Sequence, residues 1–178
     1  MRIPRSTSAH GDAAGVTKLQ RAAHVDGMTS LVGMDTAPAS AQTTTSTSTT
    51  PTTFEADVQR YVNRHRAAIG CPTLTFRSSL TYAARRHTKW MVDARTLSHQ
   101  LPGEMALGKR ITYAGYTPWR ILAENLAMGP STAYGVYKLW MGSGPHRANI
   151  ENCSLRNASL GVTMVNGRSW STMDFGRQ

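Results

Sequence analysis

Residues 160–176 read LGVTMVNGRSWSTMDFG, and their period decides the fold. Leu160, Val162 and Met164 alternate with small or polar residues, Asn166-Gly167 interrupts, and a second run, RSWSTMDFG, follows. A strand turns successive side chains to opposite faces, so a period of two marks a half-buried strand. Asn-Gly accepts the positive φ angles of a two-residue hairpin turn. The chain is therefore expected to close on an antiparallel hairpin, with Leu122–Met128 supplying a third strand.

Upstream of the hairpin the period becomes helical, which makes the fold class α+β with about four helices. Thr52 with Glu55 three residues on is a capping-box pattern, and Phe54, Val58, Tyr61, Val62 and Ile69 continue a helix that Gly70 stops. CPTLTF (71–76) is a short extended link. Ser78 or Ser79 is expected to cap a second helix, with Leu80, Ala83, Ala84, His87, Met91 and Ala94 as its buried stripe and Trp90 at the edge. Glu104–Ala114 is expected to form a third helix, ended by Gly115. Ser131 is expected to cap the fourth, Thr132–Met141, with Val136, Leu139 and Trp140 inward, and PHRANI (145–150) to make at most one or two turns.

The 178 residues suffice for one domain and a tail. Residues 1–53 are expected to be a disordered tail ending in a linker, because SAQTTTSTSTTPTT (40–53) has too little apolar area to fold. The ordered domain is then 54–178. TSLVGM (29–34) is too short and polar for a secretion signal, although APASA (37–41) resembles a cleavage site. Export would require a degenerate signal, a different start codon or another route. No apolar run approaches the roughly 18 residues of a membrane span.

The net charge is +10, of which +9 falls on Phe54–Gln178. Such a surface suits anionic partners. The basic residues are scattered without interleaved aromatics, which argues against a nucleic-acid face. Cys71 and Cys153 form no C-x-x-C pair, which leaves two readings: buried thiols in a reducing compartment, or a bridge in an oxidising one.

No phosphate-binding loop, dinucleotide fingerprint, H-E-x-x-H or G-x-S-x-G is present. The candidate chemistry rests on His99, Glu124, Ser143 and His146. Two imidazoles and a carboxylate are a common shell for a divalent ion such as zinc. The same groups could hold a water between a histidine base and a glutamate. His65 and His87 sit within helices and are assigned to packing.

Five segments carry a resemblance, in order: VNRHRAAIGCPTLTF (62–76), LTYAARRHTKWMVDARTLSH (80–99), RITYAGYTPWRILAENLAMG (110–129), LWMGSGPHRANIENCSLRNASLGVTM (139–164) and SWSTMDFG (169–176). Together they resemble the CAP superfamily (cysteine-rich secretory proteins, antigen 5 and pathogenesis-related 1, the SCP domain) in its bacterial secreted branch. The resemblance implies an α-β-α sandwich. It also implies a central cleft lined by His99, Glu124 and His146, with a zinc or other divalent cation held by His99 and His146 in some relatives. Ser143 stands where eukaryotic members carry a second glutamate, Gly144-Pro145 reverses the usual Pro-Gly, and Glu151 replaces an apolar residue. Cys71 and Cys153 fall where secreted actinobacterial relatives carry a cysteine pair, which implies a disulfide and an extracellular or envelope location.

The expected role is binding of an envelope lipid, glycan or wall component, with no strong nucleophile motif to support an enzyme. The alternatives are a hydrolase using Glu124 and His146, and a purely structural His/Glu network.

Overall fold

The computed structural model describes residues 51–178. The tail and most of the Thr/Ser tract lie outside the described residues. Three antiparallel strands form one sheet: β1 (Ile121–Met128), β2 (Asn157–Val165) and β3 (Arg168–Arg177), in the order β1-β3-β2. The β2–β3 hairpin turns at Asn166 and Gly167, both at positive φ (50° and 73°), as the Asn-Gly signal requires. The expected third strand is β1, and it lengthens the hairpin's sheet on the β3 side.

Helices cover both faces of this sheet. Val58 and Val62 of α1 (Thr53–Ala68) pack with Val136 and Trp140 of α4 (Ala133–Met141) and Ile150 of α5 (Gly144–Glu151). They meet Ala127, Leu160, Met173 and Phe175 from the sheet. On the other face, α2 (Ser78–Ala94) and α3 (Leu107–Tyr113) bury Leu80, Ala83 and Ile111 against Tyr116 and Leu122, and Met91 against Leu126. The result is the expected α-β-α sandwich. Gly161 is where α2 comes closest. A Cβ there would lie 2.3 Å from the Arg85 backbone nitrogen, so only glycine lets the helix seat on the sheet.

Both outer strands have their edges covered. Glu55 completes the capping box at the start of α1, where Thr52 N donates to its Oε2 at 2.8 Å. The same buried carboxylate binds Arg85 and accepts the Val162 N–H of β2 at 3.3 Å. Thr75 bridges to the start of β2. On β1, Trp140 Nε1 donates to the Leu126 carbonyl at 2.8 Å and Asn149 Nδ2 reaches the Glu124 carbonyl at 3.4 Å. These bonds satisfy backbone groups that would otherwise template pairing with another chain.

Several local expectations change. Neither Ser78 nor Ser79 caps α2, whose N-cap is Arg77 with no side-chain bond. Thr132, not Ser131, caps α4, by accepting the Gly135 N–H at 3.0 Å. Ile69 and Leu139 are 45% and 41% exposed and Ala94 is exposed, so the apolar stripes of α1 and α2 end before the spacing suggested, and that of α4 runs from Val136 to Trp140 without Leu139. The third helix begins at Leu107, because Glu104 is drawn inward to other partners. The stretch after Pro145 does form a helix, α5, of eight residues.

Candidate functional site

The pleat of β1 sends Glu124 to the face covered by α2, alongside Leu122 and Leu126. Glu124 is 6% exposed, and both its oxygens are taken. Oε1 lies 2.7 Å from His99 Nδ1, and Oε2 accepts from the Arg110 guanidinium at 2.5 Å. Arg110 NH1 also donates to the His99 carbonyl at 3.2 Å, so one arginine fixes both the carboxylate and the loop that carries His99.

Behind this pair lies a second carboxylate. Glu104 Oε1 is 2.7 Å from His87 Nδ1 and 3.0 Å from Arg110 NH1, while its Oε2 accepts the Leu101 N–H at 3.1 Å. Burial opposes ionisation of Glu104. The His87 bond, the Leu101 N–H and the Arg110 charge outweigh it and hold the carboxyl below its usual value. His87 is fully buried, contacts the Arg110 guanidinium through Nδ1, and leaves Nε2 without a bond, 3.9 Å from Glu124 Oε2.

Asp174 completes the cluster. It sits directly opposite Glu124 across the β1–β3 ladder, is 1% exposed, and its Oδ1 has no partner. Burial pushes its carboxyl well above the usual range, and the neighbouring Glu124 charge pushes it further. Arg110 thus sits among three carboxyls, and Asp174 is the one whose burial and neighbouring charge favour the protonated form.

His146 enters from the other side. It lies in the first turn of α5, after the N-cap Ser143, and its carbonyl accepts from Asn125 Nδ2 at 3.0 Å. Its Nδ1 is buried without a partner. Burial lowers its proton affinity, and the nearby His99 lowers it further, so the two imidazoles sense each other. The His99 side chain is 63% exposed, and its bond to Glu124 raises its proton affinity. The structure therefore joins His99 to Glu124 directly and brings His146 within electrostatic reach of His99. Ser143 stands at the start of α5, and among the described residues no hydrogen bond links its hydroxyl to the other three.

Most of the domain, including every residue of this cluster, lies within one family match. The profile described as the cysteine-rich secretory protein family, CAP, covers residues 59–175. The chain belongs to the CAP family. A relative is the uncharacterized protein YkwD of Bacillus subtilis, 28% identical over 144 residues, which are 79% of this chain and 55% of that protein. An extracellular SCP-domain protein of Bacillus anthracis superposes with a TM-score of 0.63 at 25% identity, over 70% of this chain and 40% of that one. An outer surface protein of Borrelia burgdorferi superposes at 0.60 and 18% identity, over 68% of this chain and 90% of that one, which shows the shared fold. The chain spans about half the length of YkwD and less of the B. anthracis protein.

In this CAP domain the reversed Gly144-Pro145 costs nothing locally. Proline falls in the first turn of α5, where its missing N–H would have had no partner. Glu151, which stands at a usually apolar position, pairs with His65 at 2.9 Å. Cys71 and Cys153 form a disulfide with Cα atoms 5.0 Å apart. Sequence reasoning marked neither Arg110, Glu104 nor Asp174, and it assigned His87 to packing alone. The signal for Asp174 was present: it shares a strand face with Thr172 and Gly176, which the alternation turns inward. A carboxyl placed there needs partners.

The residues that could hold a divalent cation are limited to two imidazoles. Glu124 holds the Nδ1 of His99 while the side chain stays largely exposed, the carboxylate–histidine arrangement that orients metal ligands. His146 offers a ring whose Nδ1 is unbonded. Glu124 is committed to His99 and Arg110, and among the described residues no group of three or more His, Cys, Asp or Glu is arranged to hold an ion.

Proposed function

We propose that this CAP domain is an extracellular binding module whose His99–His146 cleft takes an anionic envelope component, a glycan, lipid headgroup or wall polymer, with a divalent cation of the zinc class accommodated between the imidazoles. The observation that carries this reading is the division of labour around His99. Its Nδ1 is fixed by a buried carboxylate, and its ring stands in solvent. A side chain pinned at one end and presented at the other is prepared to meet a ligand. The disulfide and the extracellular or surface location of the B. anthracis and B. burgdorferi proteins support export. The net charge supports an anionic partner.

Glu124 acts here as a positioning residue. With both oxygens occupied and 6% exposure, it holds His99 rather than activating water. Zinc titrated calorimetrically into the wild-type protein is expected to give a binding heat that disappears in His99→Ala/His146→Ala. Equal heats, or none in either, would remove the cation from the proposal.

A further inference from the structure

The outer face of α2 and α3 carries a surface that shares no residue with the imidazole pair. An open depression of about 600 Å³ is lined by Met105, Ala106, Gly108, Lys109, Thr112, Tyr113 and Trp119. Its lining is almost wholly apolar apart from the Lys109 ammonium. Tyr113 is 65% exposed and Trp119 39%. Such aromatics normally bury their rings, and a contiguous exposed apolar face marks an interaction site.

Trp119 is held in place rather than merely left outside. Its Nε1 donates to Thr112 Oγ1 at 3.0 Å, and its ring lies so close to α3 that a Cβ on Gly108 would stand 3.0 Å from Cζ2. The absent side chain at Gly108 lets the indole lie against the helix. Tyr113 is flanked by the Arg86 guanidinium, 5.2 Å from its ring centre. The face continues through Arg86 to Tyr82, 37% exposed. Arg86 and Lys109 have no carboxylate within ion-pair distance among the described residues, whereas Lys89 nearby is matched by Asp93 at 2.7 Å.

Half-exposed Trp and Tyr beside Lys and Arg is the composition that settles at a bilayer interface: amphipathic rings at headgroup depth and cations against phosphates. The depression is too apolar for a ligand that needs many hydrogen bonds, and too open to enclose a small molecule. We propose that the face formed by Tyr82, Arg86, Lys109, Tyr113 and Trp119 docks the domain on an anionic lipid bilayer.

Co-sedimentation of the full chain with phosphatidylglycerol/phosphatidylcholine vesicles, against phosphatidylcholine alone, tests this. The wild type should sediment with the anionic vesicles only, and salt should weaken the binding. Each cation near such a surface is worth roughly fivefold in partition, so Arg86→Glu/Lys109→Glu should reduce binding by about 25-fold or more. Tyr113→Ala/Trp119→Ala should reduce it by about tenfold, with the loss persisting at high salt. Both charge positions are exposed, so the charge variant tests the surface even if the aromatic variant folds poorly. Arg64→Glu, an exposed change on α1, should have little effect. Loss of binding in His99→Ala/His146→Ala but not in Arg86→Glu/Lys109→Glu would place the lipid at the imidazoles and overturn the proposal. The proposal is overturned if wild type ignores anionic vesicles, a result that would leave the face to a soluble acidic polymer or peptide. It is overturned equally if Arg64→Glu weakens binding as much as the α2–α3 charge variant, because the net charge alone would then suffice.

Discussion

The 2.7 Å bond between Glu124 Oε1 and His99 Nδ1 stabilises the imidazolium, whereas burial and the charge of His99 disfavour protonation of His146. These shifts have opposite consequences for stability. His99 binds its proton more tightly folded than unfolded, so its contribution is full below the ordinary histidine value of 6.5 and is lost as pH rises through its higher folded value. For His146 the unfolded chain takes up the proton first, so stability is lost as pH falls from 6.5 toward its lower folded value. In chelator-treated protein, urea unfolding between about pH 8 and pH 5 should therefore show His146→Ala losing less stability on acidification than wild type, and His99→Ala losing more. The His99 effect is the smaller of the two, because its ring is largely in water. Parallel pH profiles for all three proteins would contradict this assignment. His99, Glu124 and His146 were legible as a set only through the resemblance. Alone, His99 reads as a loop histidine, and His146 as the start of a short turn. Arg110 and Glu104 stayed hidden because a charged residue on a short amphipathic helix normally faces solvent, and nothing local reveals that both turn toward the same buried histidine.

Among the elements, Arg66 explains a motif that the sequence presents only as a pattern. It lies in the last turn of α1, is fully buried, and spends its guanidinium on four carbonyls. Nε donates to Pro72 at 2.9 Å, NH1 to Ile150 at 2.6 Å and Asn152 at 3.0 Å, and NH2 to Leu155 at 3.0 Å. One side chain thus satisfies the C-terminus of α5 and the loops on either side of the disulfide. Asn63, one turn earlier, completes the arrangement: its amide pairs with both the N–H and the carbonyl of Leu74, as a strand neighbour would. Arg66→Lys keeps a charge but cannot reach four acceptors from a fork. Stability is expected to fall by about 3 kcal/mol, read as a lower urea midpoint at unchanged slope. A midpoint shift near zero would mean that water replaces the guanidinium. Helices and strands were readable because their apolar spacing is a local property, and the Asn-Gly hairpin and the capping box at Thr52 came through intact. The cap of α4 was misplaced by one position because Ser131 and Thr132 are adjacent candidates, and that of α2 because Arg77, its backbone held by the Ser159 hydroxyl, opens the helix with no side-chain cap.

For the molecule as a whole, the Cys71–Cys153 bridge, spanning 82 positions, closes most of the domain into one loop. By the chain-entropy estimate it restricts the unfolded state by about 4 kcal/mol. That is a large share of the roughly 5–15 kcal/mol that stabilises an ordinary domain. The bridge joins segments that are also held by Arg66, by the His65–Glu151 pair and by the packing of Ile150 and Leu155, so the folded geometry is expected to persist without the covalent bond. Cys71→Ser/Cys153→Ser is therefore expected to keep its native circular dichroism and the opposed pH behaviour of His99 and His146, while losing roughly 3–4 kcal/mol of stability. Its urea slope should rise, because an unfolded chain freed from the loop exposes more surface. If the variant instead lost its near-ultraviolet signal or showed a lower slope, the bridge would be holding the native packing itself. Arg66 would then be too weak to keep α5 against α1 unaided, and His146 would lose its place opposite His99 whenever the protein met a reductant.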